Sequence, residues 1–119
     1  MKRAALGRAG ERKAARYLRR RGLRLLERNW RCSAGELDLV MQEGSTVVIV
    51  EVRTSQAGFA DGAVHTVGPD KRQRLTRLAQ IWLQGCREEP HSLRFDVVAV
   101  HRRGWLNWTV DWYRDAFQA

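Results

Sequence analysis

Two apolar, strand-like runs, GELDLVMQ at 35–42 and TVVIVEVR at 46–53, carry three acids: Glu36, Asp38 and Glu51. Burying a carboxylate without a partner is costly, so acids inside such runs call for a cation. Gly44-Ser45 between the runs suits a two-residue type II′ hairpin, with glycine at the first central position. That turn sets a register, with Glu43 opposite Thr46, Val40 opposite Ile49, Asp38 opposite Glu51 and Glu36 opposite Arg53. Opposed residues of an antiparallel pair point to one face, their Cβ atoms about 4.5–5.5 Å apart. Period-two alternation puts Glu36, Asp38 and Val40 on a common face, and Val47, Ile49, Glu51 and Arg53 on a common face.

Two carboxylates placed face to face drive one of them toward its neutral form. A divalent ion removes the conflict, since Mg2+ takes oxygen ligands and is held by one or two carboxylates with water and phosphate. Asp38 and Glu51 are therefore the expected ligands of Mg2+ (or Mn2+), the carbonyl of Val52 is a further candidate, and Glu36 stands behind them. The chemistry in view is phosphodiester hydrolysis, in which such an ion polarises a phosphate oxygen and generates hydroxide. Arg53 is placed to stabilise charge on the transition state, but its guanidinium stays protonated and cannot act as a base. The bland reading of the same residues is a Glu36–Arg53 ion pair on a wet face, with Asp38 and Glu51 near a sheet edge.

Further basic groups suit phosphate. Lys71 and Arg72 fall in the first turn of a second helix, where backbone N–H groups attract anions; a solvated lysine explains Lys71 equally well. Arg8, Arg12, Arg16 and Arg19 share one side of a first helix. Glu11 lies at the edge of that helix's apolar stripe, where a surface ion pair with Arg8 or Arg12 competes with a role in the site. Of the tryptophans, Trp82 falls on a core stripe, while Trp105, Trp108 and Trp112 suit a sheet edge, a partner surface or base stacking.

The elements that must position these groups follow from periodicity. A helix is predicted from Ala4 to Arg21, with Leu6, Ala9, Gly10, Ala14, Tyr17 and Leu18 as its inner stripe and Gly22 as its stop. A strand follows over Leu23–Trp30, then a loop over Arg31–Ala34, then the hairpin. Thr54–Gly68, with three glycines, is predicted as a long loop of the kind that carries function. A second helix opens with a capping box, Asp70 to Gln73, and turns Leu75, Leu78, Ala79, Trp82 and Cys86 inward until EEPHS ends it. LRFDVVAVH is a buried strand, WLNWTVDW an edge strand, and YRDAF a closing helical turn. The order α-β-β-β-α-β-β gives an α/β domain with a mixed sheet flanked by helices.

The chain has 119 residues, the size of a single domain, 1–119. It carries 22 basic and 13 acidic residues, a net charge of +9, which favours a polyanionic partner such as nucleic acid. Only Lys2, Lys13 and Lys71 are lysine. No run approaches the roughly 20 apolar residues that span a bilayer, and the N-terminus lacks the apolar stretch of an export signal. A cytoplasmic protein with reduced Cys32 and Cys86 is expected, with no membrane partner. His65, His91 and His101 form no cluster in the sequence.

The runs GRAGERKAARYLRRRGLRLLERNWR, GELDLV, VVIVEVR, VGPDKRQRL, RLAQIWL, RFDVVAV and the closing DAF resemble, in that order, the YraN-type family of small bacterial proteins. The match covers nearly the whole chain. The resemblance implies a restriction-endonuclease-like fold, a distant similarity to archaeal Holliday junction resolvases, and a PD-(D/E)xK site. By that likeness Glu11 matches an acid that some resolvases place on the first helix. Asp38 matches the aspartate, Glu51 the acid of E-x-K, Arg53 the position of its lysine, and Lys71 the basic residue opening the second helix. A metal-dependent endonuclease acting on branched or structured DNA is thereby expected, with a homodimer suited to two cuts on a symmetric junction. The rivals are a nucleic-acid-binding module that does not cleave, which Arg53 favours, and an interaction protein in DNA repair or uptake that docks through its tryptophan-rich strand.

Overall fold

The computed structural model describes residues 2–56, 66–86 and 92–118. Their order is α1 (Arg3–Arg20), β1 (Arg24–Cys32), β2 (Gly35–Glu43), β3 (Thr46–Gln56), α2 (Pro69–Gln84), β4 (Ser92–Arg102) and β5 (Trp108–Phe117). The strands form one sheet in the order β1-β2-β3-β4-β5. All neighbours are antiparallel except β3 and β4, which run parallel in register from Thr46–Ser92 to Gln56–Arg102. A parallel pair needs a crossover, and α2 lies between those two strands in the chain. This is the mixed α/β arrangement expected of a restriction-endonuclease-like domain.

Strand alternation divides the core into two layers. Leu39, Met41, Val48, Val50, Val98 and Val100 pack against Ala14, Ala15 and Leu18 of α1. Val40, Val47, Ile49 and Phe95 pack against Leu75, Leu78 and Ala79 of α2. The helix α1 ends as Gly22 implied: at φ 98°, it lets the Leu23 N–H return to the Leu18 carbonyl at 3.1 Å. Both leucines are buried in the α1-side layer, the contact that accompanies this kind of C-cap.

Several boundaries differ from the sequence expectation. β3 continues through residues 54–56, the predicted opening of the long loop, and β5 starts at Trp108 rather than Trp105. β1 continues to Cys32, because Arg31 and Cys32 still pair with Glu36 and Gly35. Helix α2 begins at Pro69 with Gly68 as N-cap and no side-chain cap bond, so Asp70 is already inside the helix and forms no capping box. YRDAF is the end of the edge strand β5, not a helical turn. Its Asp115 takes φ 51° and donates its backbone N–H to Asp96 at 2.9 Å, and Phe117 stacks on Phe95 with ring centres 4.6 Å apart. The greater part of the predicted Thr54–Gly68 loop, and most of EEPHS, lie outside the described residues.

Asp96 is 1% exposed yet fully satisfied. It accepts from Arg94 at 2.9 and 3.0 Å, from Trp112 Nε1 at 2.8 Å and from the Asp115 N–H. Arg94 and Arg114 also bind Glu43, and the hydrogen bond from Arg94 holds the Glu43 carboxyl below its usual range. This network ties the β2–β3 turn to β4 and β5.

Candidate active site

The hairpin closes in the expected register, with Glu43 opposite Thr46 and Val40 opposite Ile49. Gly44 has φ 60°, as the first central residue of a type II′ turn requires. The β2–β3 ladder then stops at Leu39–Val50. Asp38 and Glu51 are the first residues past its end, and the expected opposition of Glu36 and Arg53 does not form. Asp38 Oδ2 instead accepts the backbone N–H of Val52 at 2.9 Å, satisfying a donor that the ladder no longer reaches.

The expected common face of Glu36, Asp38 and Val40 is also overturned. Leu37 packs with Val40 on the α2 side, whereas Leu39 packs on the α1 side, so alternation breaks across Asp38. In β1 the pairing passes from Arg28–Leu39 to Trp30–Leu37, and the skipped Asn29 has φ 52°, a left-handed conformation that asparagine tolerates. Glu36 turns to β1, where it pairs with Arg31 at 2.9 Å.

The break gathers acids from three elements. Glu11 of α1 lies within hydrogen-bonding reach of Asp38, which two carboxyls achieve only by sharing a proton or a cation. The Asn29 amide nitrogen, in the orientation its neighbours require, lies 3.1 and 3.2 Å from the Glu11 oxygens. Glu51 follows Val47 and Ile49 in alternation on the α2 side, where Lys71 Nζ meets its Oε1 at 2.7 Å. Burial, then the Glu51 charge, pushes the Asp38 carboxyl up to about 7, against the pull of the Val52 N–H. Burial, then Glu36, raises Glu11. Arg3, Gly7, Glu11, Val52 and Ser55 line a cleft of ≈ 550 Å³ beside the cluster.

The family model described as Uncharacterised protein family UPF0102 matches residues 10–100. The chain belongs to that family. A UPF0102 protein of Ectopseudomonas mendocina is 46% identical over 115 residues, covering 96% of this chain and 95% of its own length. One from Herminiimonas arsenicoxydans is 46% identical over 106 residues, covering 89% and 84%. One from Streptomyces griseus is 46% identical over 105 residues, covering 86% and 88%. The match to UPF0102 spans Glu11, Asp38, Glu51, Arg53 and Lys71.

In this UPF0102 chain Glu11, Asp38 and Glu51 come together, and Lys71 joins them through Glu51 rather than standing as an isolated solvated lysine. Glu11 is in no ion pair with Arg8 or Arg12; both arginines are exposed on α1, as is Arg72 on α2. Arg53 is half-buried, pairs with Ala99 of β4 and makes no ion pair among the described residues. Two contributors carry little signal in the sequence. Asn29 lies between polar and aromatic neighbours with no local mark of a left-handed backbone. Gly10 falls on the core stripe, but periodicity does not disclose its closeness to β3: a methyl there would overlap the Thr54 side chain, so only glycine lets α1 settle beside the site and hold Glu11 over Asp38.

Proposed function

We propose that the chain binds structured or branched DNA and hydrolyses its phosphodiester bonds with Mg2+ or Mn2+ held by Asp38, Glu51 and the Val52 carbonyl. The observation that carries this reading is the convergence of Glu11, Asp38 and Glu51 where the β2–β3 ladder ends, beside a helix whose exposed side is basic. The likeness of the same residues to the PD-(D/E)xK pattern of resolvases supports it. The donors are all oxygens. Among the described residues no three His, Cys, Asp or Glu side chains form a cage, and Mg2+ needs none, being commonly held by one or two carboxylates with water and phosphate. Burial, and then the charge of Glu51, push Asp38 to about 7, and a divalent ion would relieve the charge conflict between the two. Such an ion would supply a polarised phosphate oxygen and a hydroxide at neutral pH.

The chain's own groups have separate tasks. The Val52 N–H fixes the Asp38 carboxylate. Glu11 holds a proton or a water at the cleft. Lys71 orients Glu51 and presents an ammonium to phosphate, and Arg53 adds a fixed positive charge. Arg8, Arg12 and Arg72 hold the backbone. A second reading, a nucleic-acid-binding module without cleavage, is favoured by Arg53 in the lysine position and by Lys71 already engaging Glu51. Incubating the protein with Mg2+ or Mn2+ and four-way, flapped or linear DNA separates the two. Cutting of the branched substrates that Asp38→Ala abolishes is the expected result. Binding without cutting, unchanged in Asp38→Ala, leaves only the second reading; failure to bind any of these DNAs at moderate salt points to an interaction protein.

A further inference from the structure

Away from the acid cluster, the C-terminal half of α1 meets β5 and the β4–β5 turn around a groove of ≈ 220 Å³. Lys13, Arg16, Tyr17 and Arg20 form one wall; Trp108 and Leu106 form the other. The Trp108 ring centre lies 5.7 Å from Lys13 Nζ and 5.9 Å from the Arg102 guanidinium. Trp105 and Leu106, 83% and 89% exposed, stand at the tip of the turn. That tip is pinned: the Arg103 and Gly104 N–H groups donate to the Asn107 carbonyl at 2.7 and 3.3 Å, and Arg102 Nε donates to the Gly104 carbonyl at 3.2 Å. Among the described residues, none of Lys13, Arg16, Arg20 and Arg102 is in an ion pair.

Unpaired cations around the Trp108 ring, with an exposed Trp105 at the tip of the same pinned turn, match a ligand that joins phosphates to unstacked bases. A duplex keeps its bases stacked inside and offers Trp105 nothing. We infer that this groove binds a single-stranded segment of nucleic acid, its phosphates on Arg16 and Arg20 and a base on Trp105. Arg20 lies nine residues beyond Glu11, roughly 13 Å along the helix at 1.5 Å per residue and half a turn around it at 3.6 residues per turn, so the groove lies on the other side of α1 from the acid cluster, with the exposed arginines of the helix between the two. The inference rests on the nucleic-acid part of the proposed function and is independent of hydrolysis.

The test measures binding in EDTA, where cleavage cannot interfere, using the full chain with blunt duplex, tailed duplex and oligothymidylate, and with anionic phosphatidylglycerol vesicles. The tailed duplex binds more tightly than the blunt one. Trp105→Ala weakens binding of tailed and single-stranded probes roughly fivefold to a hundredfold, the range of one base–aromatic stack. Trp105→Phe restores most of it, and blunt-duplex affinity and Tm stay unchanged. Arg20→Ala lowers the single-strand salt slope by about 0.7. Equal affinity for tailed and blunt duplex, or no effect of Trp105→Ala, overturns this inference and leaves the proposed function standing. Binding to vesicles alone, or to no probe, overturns both.

Discussion

Asp38 concentrates the site's electrostatic conflict. Its carboxyl is half-buried, faces the Glu51 charge and is pushed up to about 7 from an ordinary 3.8. A carboxyl whose pKa is higher folded than unfolded binds more protons when folded, so stability falls as pH rises from about 4 through about 7. Without divalent metal, the wild-type protein is therefore expected to lose Tm over that window, and Asp38→Asn, which cannot ionise, to lose much less; parallel Tm profiles from pH 4 to 8 would refute the assignment. Lys71 works on the same charge from the other side. Its ammonium is 2.7 Å from Glu51, with 39% of the lysine side chain and 12% of the glutamate side chain exposed. A pair this open to solvent contributes on the order of 1 kcal/mol. Lys71→Met is expected to cost about that much in metal-free buffer and to give a larger Mg2+-induced rise in Tm than wild type, because no ammonium competes for Glu51. Glu51→Gln is expected to give almost no rise. A Mg2+ response identical in wild type, Lys71→Met and Glu51→Gln would remove the metal site.

Elements fail where they must touch closely. Gly10 lets α1 lie on Thr54 of β3, and Gly10→Ala forces the helix outward, at a cost of about 1–3 kcal/mol for overpacking. At Gly7, three residues earlier on the same helix, an added methyl would meet nothing within 4 Å, so Gly7→Ala is expected to stabilise by about 0.5–1 kcal/mol through helix propensity. Urea unfolding of the two variants reads opposite signs if α1 is seated as described. The same contrast explains which parts of the fold are legible in the sequence. Helix α1, the hairpin register from Glu43–Thr46 to Leu39–Val50 and the buried β4 follow from local periodicity and one glycine–serine turn, and the structure keeps them. The break in alternation at Asp38 is not legible, because Asn29, nine residues earlier on another strand, turns the backbone left-handed there. YRDAF has residues compatible with a helical turn; Asp96, nineteen residues before Asp115, holds it in the edge strand through a tertiary hydrogen bond. Of the site, Asp38 and Glu51 are visible through the turn. Glu11 emerges only through family likeness, and the Lys71–Glu51 contact depends on how α2 packs across the sheet.

At the scale of the whole molecule, the net charge of +9 is unevenly engaged. Arg31, Lys71, Arg94 and Arg114 are in ion pairs, while α1 carries Arg3, Arg8, Arg12, Lys13, Arg16, Arg19 and Arg20 against the single acid Glu11. Arg19 and Arg20 also complement the negative end of the helix dipole, and Lys13 lies over the Trp108 ring, but that leaves Arg3, Arg8, Arg12 and Arg16 in no ion pair among the described residues. Counterion release makes duplex affinity fall with salt at a slope of about −0.9 per phosphate contacted. If α1 is the phosphate-holding element, Arg8→Ala and Arg12→Ala each make that slope shallower by about one, and the double variant by about two. Arg114→Ala removes the same formal charge from a residue whose guanidinium is held by Glu43 at 2.8 Å, and leaves the slope unchanged. Duplex binding titrated from about 50 to about 300 mM salt for wild type and the four variants decides the matter. A slope that drops equally for Arg8, Arg12 and Arg114 means net charge alone attracts DNA, and α1 is then no specific interface.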